Sequence, residues 1–190
     1  MRAEEIIIKA MRRAKEERGL NAIESSGYLS EGHIKKADHN LIVMTDLARL
    51  GHDDWVIISA YYAMYQSAMS LLSRIGLDSK DHATTAAVLE YFFRELISLE
   101  LIEKFNELKV RKDKIEAITI EEKYIDYLWK TKRIRESAQY GISLKYREVG
   151  IVMGNAREFV SRIKLALKEL DEEMAEIIIQ KARELKGRVR

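Results

Sequence analysis

Not one proline occurs in 190 residues. Proline breaks helix interiors and punctuates loops, so a chain of this length without it is predicted to be built from long helices. The apolar spacing agrees. In EEIIIKAMRRAKEER, residues 4–18, Ile6, Ile7, Ala10, Met11 and Ala14 recur at helical intervals, with Glu4 and Glu5 at the favoured acidic end. NAIESSGYLSEGH reads as a turn-rich connector, and Ser30 with Glu31 as the opening of a second helix that stops at Gly51. Asp53 or Asp54 suits the N-cap of a third helix, 55 to about 75, and Ser79 or Asp81 that of a fourth. Residues 97–116 read as interrupted helix, and Thr119 opens a further helix over about 120–139. From about 146 to 186, Val149, Val152, Ala156, Phe159, Ile163, Leu167, Leu170, Met174 and Ile177 step by threes and fours, a heptad-like seam on one long last helix.

The third helix, SAYYAMYQSAMSLL over residues 59–72, is apolar on nearly every side. Ile58, Tyr62, Tyr65, Met69 and Leu72 make one seam, and Ile57, Tyr61, Met64, Ala68 and Leu71 a second. Ser59, Ala63, Gln66 and Ser70 make a stripe of mostly small residues that lets a neighbour approach closely. Such a helix belongs at the centre of a bundle. Tyr61 and Tyr65 are expected in the core, where each hydroxyl needs a partner. Tyr62 is open to two readings, core ring or wall of a polar pocket.

Charge and chemistry narrow the function. Lysine and arginine number 33 against 31 acids, so the molecule as a whole has no strong pull on polyanions. The exception is LWKTKRIRESAQYGISLKYR, residues 128–147, where Lys130, Lys132, Arg133, Arg135, Lys145 and Arg147 face a single acid, Glu136, with Trp129, Tyr140 and Tyr146 interleaved. Basic residues with stacking aromatics suit a nucleotide or single-stranded nucleic acid; a solvated helix face paired with acids elsewhere is the plainer alternative. Cysteine is absent, which removes disulfides, thiolate metal sites and cysteine nucleophiles. His33 and His39 are six apart, off one helical face, and His52-Asp53-Asp54 reads as a helix cap, so neither metal nor cofactor is expected. No G-x-x-x-x-G-K-[ST], G-x-G-x-x-G or G-x-S-x-G is present. No apolar run reaches bilayer length and the N-terminus lacks a signal peptide's pattern, so a soluble, cytoplasmic protein is expected.

AYYAMYQSAMSLLSRIG, then DHATTAAVLEYF, then RESAQYG, in that order, resemble the HEPN family of small helical proteins over roughly residues 34–165. They are closest to the branch with A-Y-Y-A-M-F-x-A-A, a loop histidine and R-x-x-A-D-Y. The resemblance implies an all-α, up-and-down bundle of four to five core helices, commonly a homodimer. Residues 31–167 would form that bundle, residues 1–30 an N-terminal helical extension, and residues 168–190 a projecting end of the last helix, packed on the N-terminal helix or on a second subunit.

By the same resemblance, some members are metal-independent ribonucleases, many of them toxins paired with a nucleotidyltransferase; others bind nucleotides or proteins without catalysis. The nucleases carry Arg, four to six residues, then His. Here Arg135 fills the arginine position, but Glu136, Ser137, Ala138, Gln139 and Tyr140 follow and no histidine does. Tyrosine, with a pKa of about 10, is a poor general base near neutrality. Tyr140 matches the branch's tyrosine, Gln139 replaces its acid and removes a charge that would pair with Arg135, and His82 matches its loop histidine. The expectation is a non-catalytic binding module for a nucleotide, RNA or a nucleotidyltransferase partner. Its ligand-binding residues would be Arg135, Tyr140, Gln139, Tyr62, His82, Arg133 and Lys132. The alternatives are a ribonuclease of a toxin–antitoxin pair using Arg135 with Tyr140 or His82, and a purely structural dimer.

Overall fold

The computed structural model describes residues 3–14, 19–96, 118–142 and 146–188; the expected broken helix over 97–116 lies outside the described residues. In chain order the elements are α1 (Ala3–Arg12), β1 (Leu20–Ala22), α2 (Gly27–Leu50), α3 (Asp53–Arg74), β2 (Leu77–Ser79), α4 (His82–Glu90), α5 (Glu122–Tyr140), α6 (Val149–Glu169) and α7 (Glu172–Gly187). A π-helical turn, Tyr91–Leu96, continues α4. The architecture is the all-α bundle expected, with α3 at its centre against α2, α4, α5 and α6. None of these helices is long and apolar enough to cross a membrane.

The sequence of α3 explains its place. Ile57, Tyr61, Met64, Ala68, Leu71 and Leu72 are fully buried, and Met69 nearly so. Each large aliphatic side chain so buried stabilises the fold by about 1.5–3 kcal/mol. The small stripe acts as predicted at Ala63, which meets Ala37 of α2 and Val160 of α6. Ser67, Ser70 and Ser73 satisfy their hydroxyls within the helix, donating to the carbonyls of Met64, Ser67 and Met69. Gln66 pairs instead across to α2, 2.7 Å from His33 Nδ1.

Four boundaries differ from the sequence reading. α5 begins at Glu122 with Glu121, not Thr119, as its N-cap, and no side-chain bond closes that cap. α2 begins at Gly27 because Ser26, not Ser30, is its cap; the Ser26 hydroxyl accepts from the Leu29 amide. α3 begins at Asp53, capped by His52 without a side-chain bond, and the Asp53 carboxylate accepts from the Tyr146 amide at 3.4 Å. The long last helix is two helices. Asp171 recaps the chain, accepting from the Met174 amide at 3.0 Å, while buried Leu170 and Met174 on either side keep the apolar spacing unbroken through the turn. α7 then packs on α1, the first of the two places expected for it, with Arg188 reaching Glu4 at 3.0 Å.

A short antiparallel pair ties the N-terminal segment to the bundle, with Leu20 opposite Ser79, Asn21 opposite Asp78 and Ala22 opposite Leu77. It needs Gly76, whose φ is +70° and whose Cβ position would lie 2.9 Å from the Ile23 carbonyl oxygen. β2 leads directly into the first turn of α4, where the Asp81 carboxylate accepts from the Thr84 amide at 3.0 Å. That cap fixes the position of His82.

Candidate functional site

Arg135 points from α5 into the bundle and is only 7% exposed. Its guanidinium carbon lies 5.1 Å from the centroid of the Tyr61 ring, a cation–π placement. Nη1 donates to Gln139 Oε1, one turn along the helix. Nε is buried and has no partner. Glu136, the adjacent acid, is bound to Lys132 at 2.7 Å; among the described residues no carboxylate pairs with Arg135. An ionised group out of water normally requires a counter-charge, and this one has a neutral carboxamide and an aromatic face.

His82, from the first turn of α4, completes the cluster. Its ring stands edge-on to Tyr61 at 5.3 Å and to Tyr65 at 4.5 Å. Nδ1 is buried without a partner. Burial, and then the Arg135 charge, hold its pKa below the ordinary value, so the imidazole is neutral at pH 7. Burial pushes the Tyr61 hydroxyl far above the usual phenol range despite Arg135, and burial likewise raises Tyr65. No phenolate therefore offsets Arg135. The Tyr65 hydroxyl donates to the Ser79 carbonyl at 3.3 Å.

The residues expected from the sequence separate into two groups. Arg135 and His82 meet at Tyr61, exposed Gln139 holds Arg135 from outside, and Lys132 with Glu136 lies beside them: both charges act on His82. The hydrogen bond from Lys132 also keeps Glu136 below the usual carboxylate range. Tyr62, half-buried, meets the edge of Tyr61 at 5.6 Å and borders the cluster. Arg133 and Tyr140 fall on the solvent side of α5, Tyr140 being 77% exposed. Lys130 pairs with Asp126 at 3.4 Å, and Lys132 also lies 5.9 Å from the Trp129 ring, so part of the basic stretch is neutralised within its own helix.

Tyr61 lies in the core as expected and Tyr65 packs against it half-buried; what the sequence reading missed is that Tyr61 also carries Arg135 and His82, and Tyr65 also carries His82. Their i, i+4 spacing, shortly before a histidine at a helix start, is the signal that points to them.

The cluster brings together a fixed positive charge, two unpartnered nitrogens and an aromatic floor, the groups an anion site requires. A separate cavity of about 340 Å³ between α1, the strand pair and α7 includes none of these residues. Among the described residues no three histidine or acidic side chains converge as metal ligands would.

Comparison with curated proteins finds no match. The model of the HEPN domain matches residues 30–190, from the first turns of α2 through α7, leaving α1 and β1 outside. With that match over most of its length, the chain belongs to the HEPN family.

Proposed function

We propose that the protein is a non-catalytic HEPN module that binds a nucleotide or RNA through a phosphate at Arg135. The observation that carries this is the buried guanidinium with a free Nε and, among the described residues, no counter-ion. Leaving a charge so placed is costly, and an arginine fork matches phosphate oxygens. The absence of a histidine after Arg135 on α5 removes the sequence pattern of the ribonuclease members. Arg133 and Arg147, both exposed, lie close to it in sequence and can follow a nucleic-acid backbone. By family resemblance the working unit is a homodimer and a nucleotidyltransferase is a fitting partner; light scattering and pull-down with such a protein test these two points.

The test is to titrate AMP, ATP and a short single-stranded RNA against wild type and Arg135→Gln, with EDTA present and the RNA analysed afterwards for breaks. The expected result is binding that Arg135→Gln weakens by about 10- to 100-fold, the worth of one charge-assisted hydrogen bond, and intact RNA. Equal binding by both proteins overturns the proposal.

The placement of His82 favours a second reading, a metal-independent ribonuclease. A neutral imidazole on the same aromatic floor as Arg135 is suited to take the proton of a 2′-hydroxyl while the arginine holds the phosphate. Cleavage in EDTA that is lost in both His82→Gln and Arg135→Gln would establish it. A purely structural dimer would be unaffected by either substitution.

A further inference from the structure

We propose that the site selects a terminal phosphomonoester over an internal phosphodiester, with His82 taking up a proton as the group binds. This inference rests on the phosphate reading of Arg135 above and specifies its ligand.

The geometry supplies the first argument. Arg135 Nε from α5 and His82 Nδ1 from the first residue of α4 are both sealed from solvent and both lack a partner. They flank one ring, Tyr61, which is itself fully buried. A phosphate within a strand carries a nucleoside on each side and sits on a surface. A phosphate at a chain end projects one small group with three free oxygens, which is the shape that reaches recessed donors. The start of α4 adds a favourable dipole for an anion.

Charge supplies the second. An internal phosphodiester has one negative charge, whereas a phosphomonoester carries about −1.5 to −2 at pH 7. Arg135 provides one permanent positive charge. His82, neutral in the empty protein, provides a second only when an anion beside it raises its proton affinity. The other groups facing His82 do not serve. Asp81 is committed to the Thr84 amide and hydroxyl, Glu136 to Lys132, and Tyr61 and Tyr65 stay protonated. The site thus holds one positive charge at rest and two when filled. No bond of the ligand is made or broken; one proton leaves a buffer acid and forms an N–H bond on the imidazole, and that N–H donates to a phosphate oxygen.

The experiment is isothermal titration calorimetry at pH 7 in two buffers of different ionisation heat. The ligands are one short oligoribonucleotide with a 5′-phosphate, with a 3′-phosphate and with hydroxyl ends. The proteins are wild type, His82→Gln and Arg135→Gln, each shown to be folded by its thermal melt. The expected result is tighter binding of an end-phosphorylated oligomer by about 10- to 100-fold, as one charge-assisted hydrogen bond gives, with net proton uptake. His82→Gln should lose the uptake and the preference. Equal affinity for phosphorylated and hydroxyl ends, still weakened by Arg135→Gln, overturns the inference and leaves the phosphate reading standing. A preference without proton uptake overturns the part given to His82. Binding indifferent to Arg135→Gln overturns both.

Discussion

One turn along from Arg135 stands Gln139 rather than an acid. The carboxamide orients the guanidinium through Nη1 without neutralising it. Gln139→Glu keeps the size and the acceptor and adds one negative charge. Since Gln139 is exposed, the new pair is screened, and a gain of about 0.5–1 kcal/mol is expected. At roughly 2–4 °C per kcal/mol for a chain of this size, the melting temperature rises by about 1–4 °C. Anion binding at Arg135 should fall by about tenfold, since the carboxylate occupies the cation the ligand needs. Calorimetric melting and ligand titration of the one variant check both; a more stable protein that binds equally well would show that Arg135 is not the anchor.

His82 carries the pH dependence at this scale. Its folded pKa is below the unfolded value of about 6.5, so between those two values the unfolded chain binds more protons. Stability from this group is complete above about pH 6.5 and is lost as pH falls toward the folded pKa. Chemical denaturation of wild type and His82→Gln at pH 5 and pH 7 should show the smaller loss in the variant. Arg135, Gln139 and His82 were legible because their order and spacing carry a motif. Tyr61 was not, because a ring that floors a site and a ring that fills a core have the same helical spacing and differ only in what lies on them.

Among the elements, α2, α3 and α6 meet at a cluster of small residues. Ala63, fully buried, is where Ala37 of α2 and Val160 of α6 meet α3. Ala63→Leu adds methylenes where no space exists and should cost about 1–3 kcal/mol, or more if the helices must part. Urea unfolding measures it, and a change under 0.5 kcal/mol would mean that α2, α3 and α6 are not closely packed there. The closeness was legible in the S-A-Q-S stripe of α3. Less of the element scale was legible at the ends. Ser26 and Ser30 are one helical turn apart and equally able to cap, so the start of α2 was misplaced by about a turn. The break at Leu170–Asp171 hid under an apolar spacing that continues on both sides. The strand pair, three residues on each side, is too short to show a period of two.

For the molecule as a whole, the balance of charge decides how it would meet the nucleic acid proposed as its ligand. With 33 basic and 31 acidic residues there is no long-range field to gather RNA. Within the basic stretch, Lys130 and Lys132 already hold Asp126 and Glu136. Under the proposed reading, Arg135, Arg133 and Arg147 are the described cations of this stretch left to meet phosphates. Releasing counter-ions from about 2–3 phosphates of a single strand gives a slope of log K against log salt near −1.4 to −2.1. Fluorescence anisotropy of a short end-phosphorylated RNA from 50 to 300 mM salt measures it. A slope in that range means that recognition is concentrated in the buried site and that a single substitution, Arg135→Gln, should remove about one unit of phosphate contact from it. A slope steeper than about −4 would require a wide basic face engaged along the strand, and binding would then be a property of the surface of α5 rather than of the arginine beneath it.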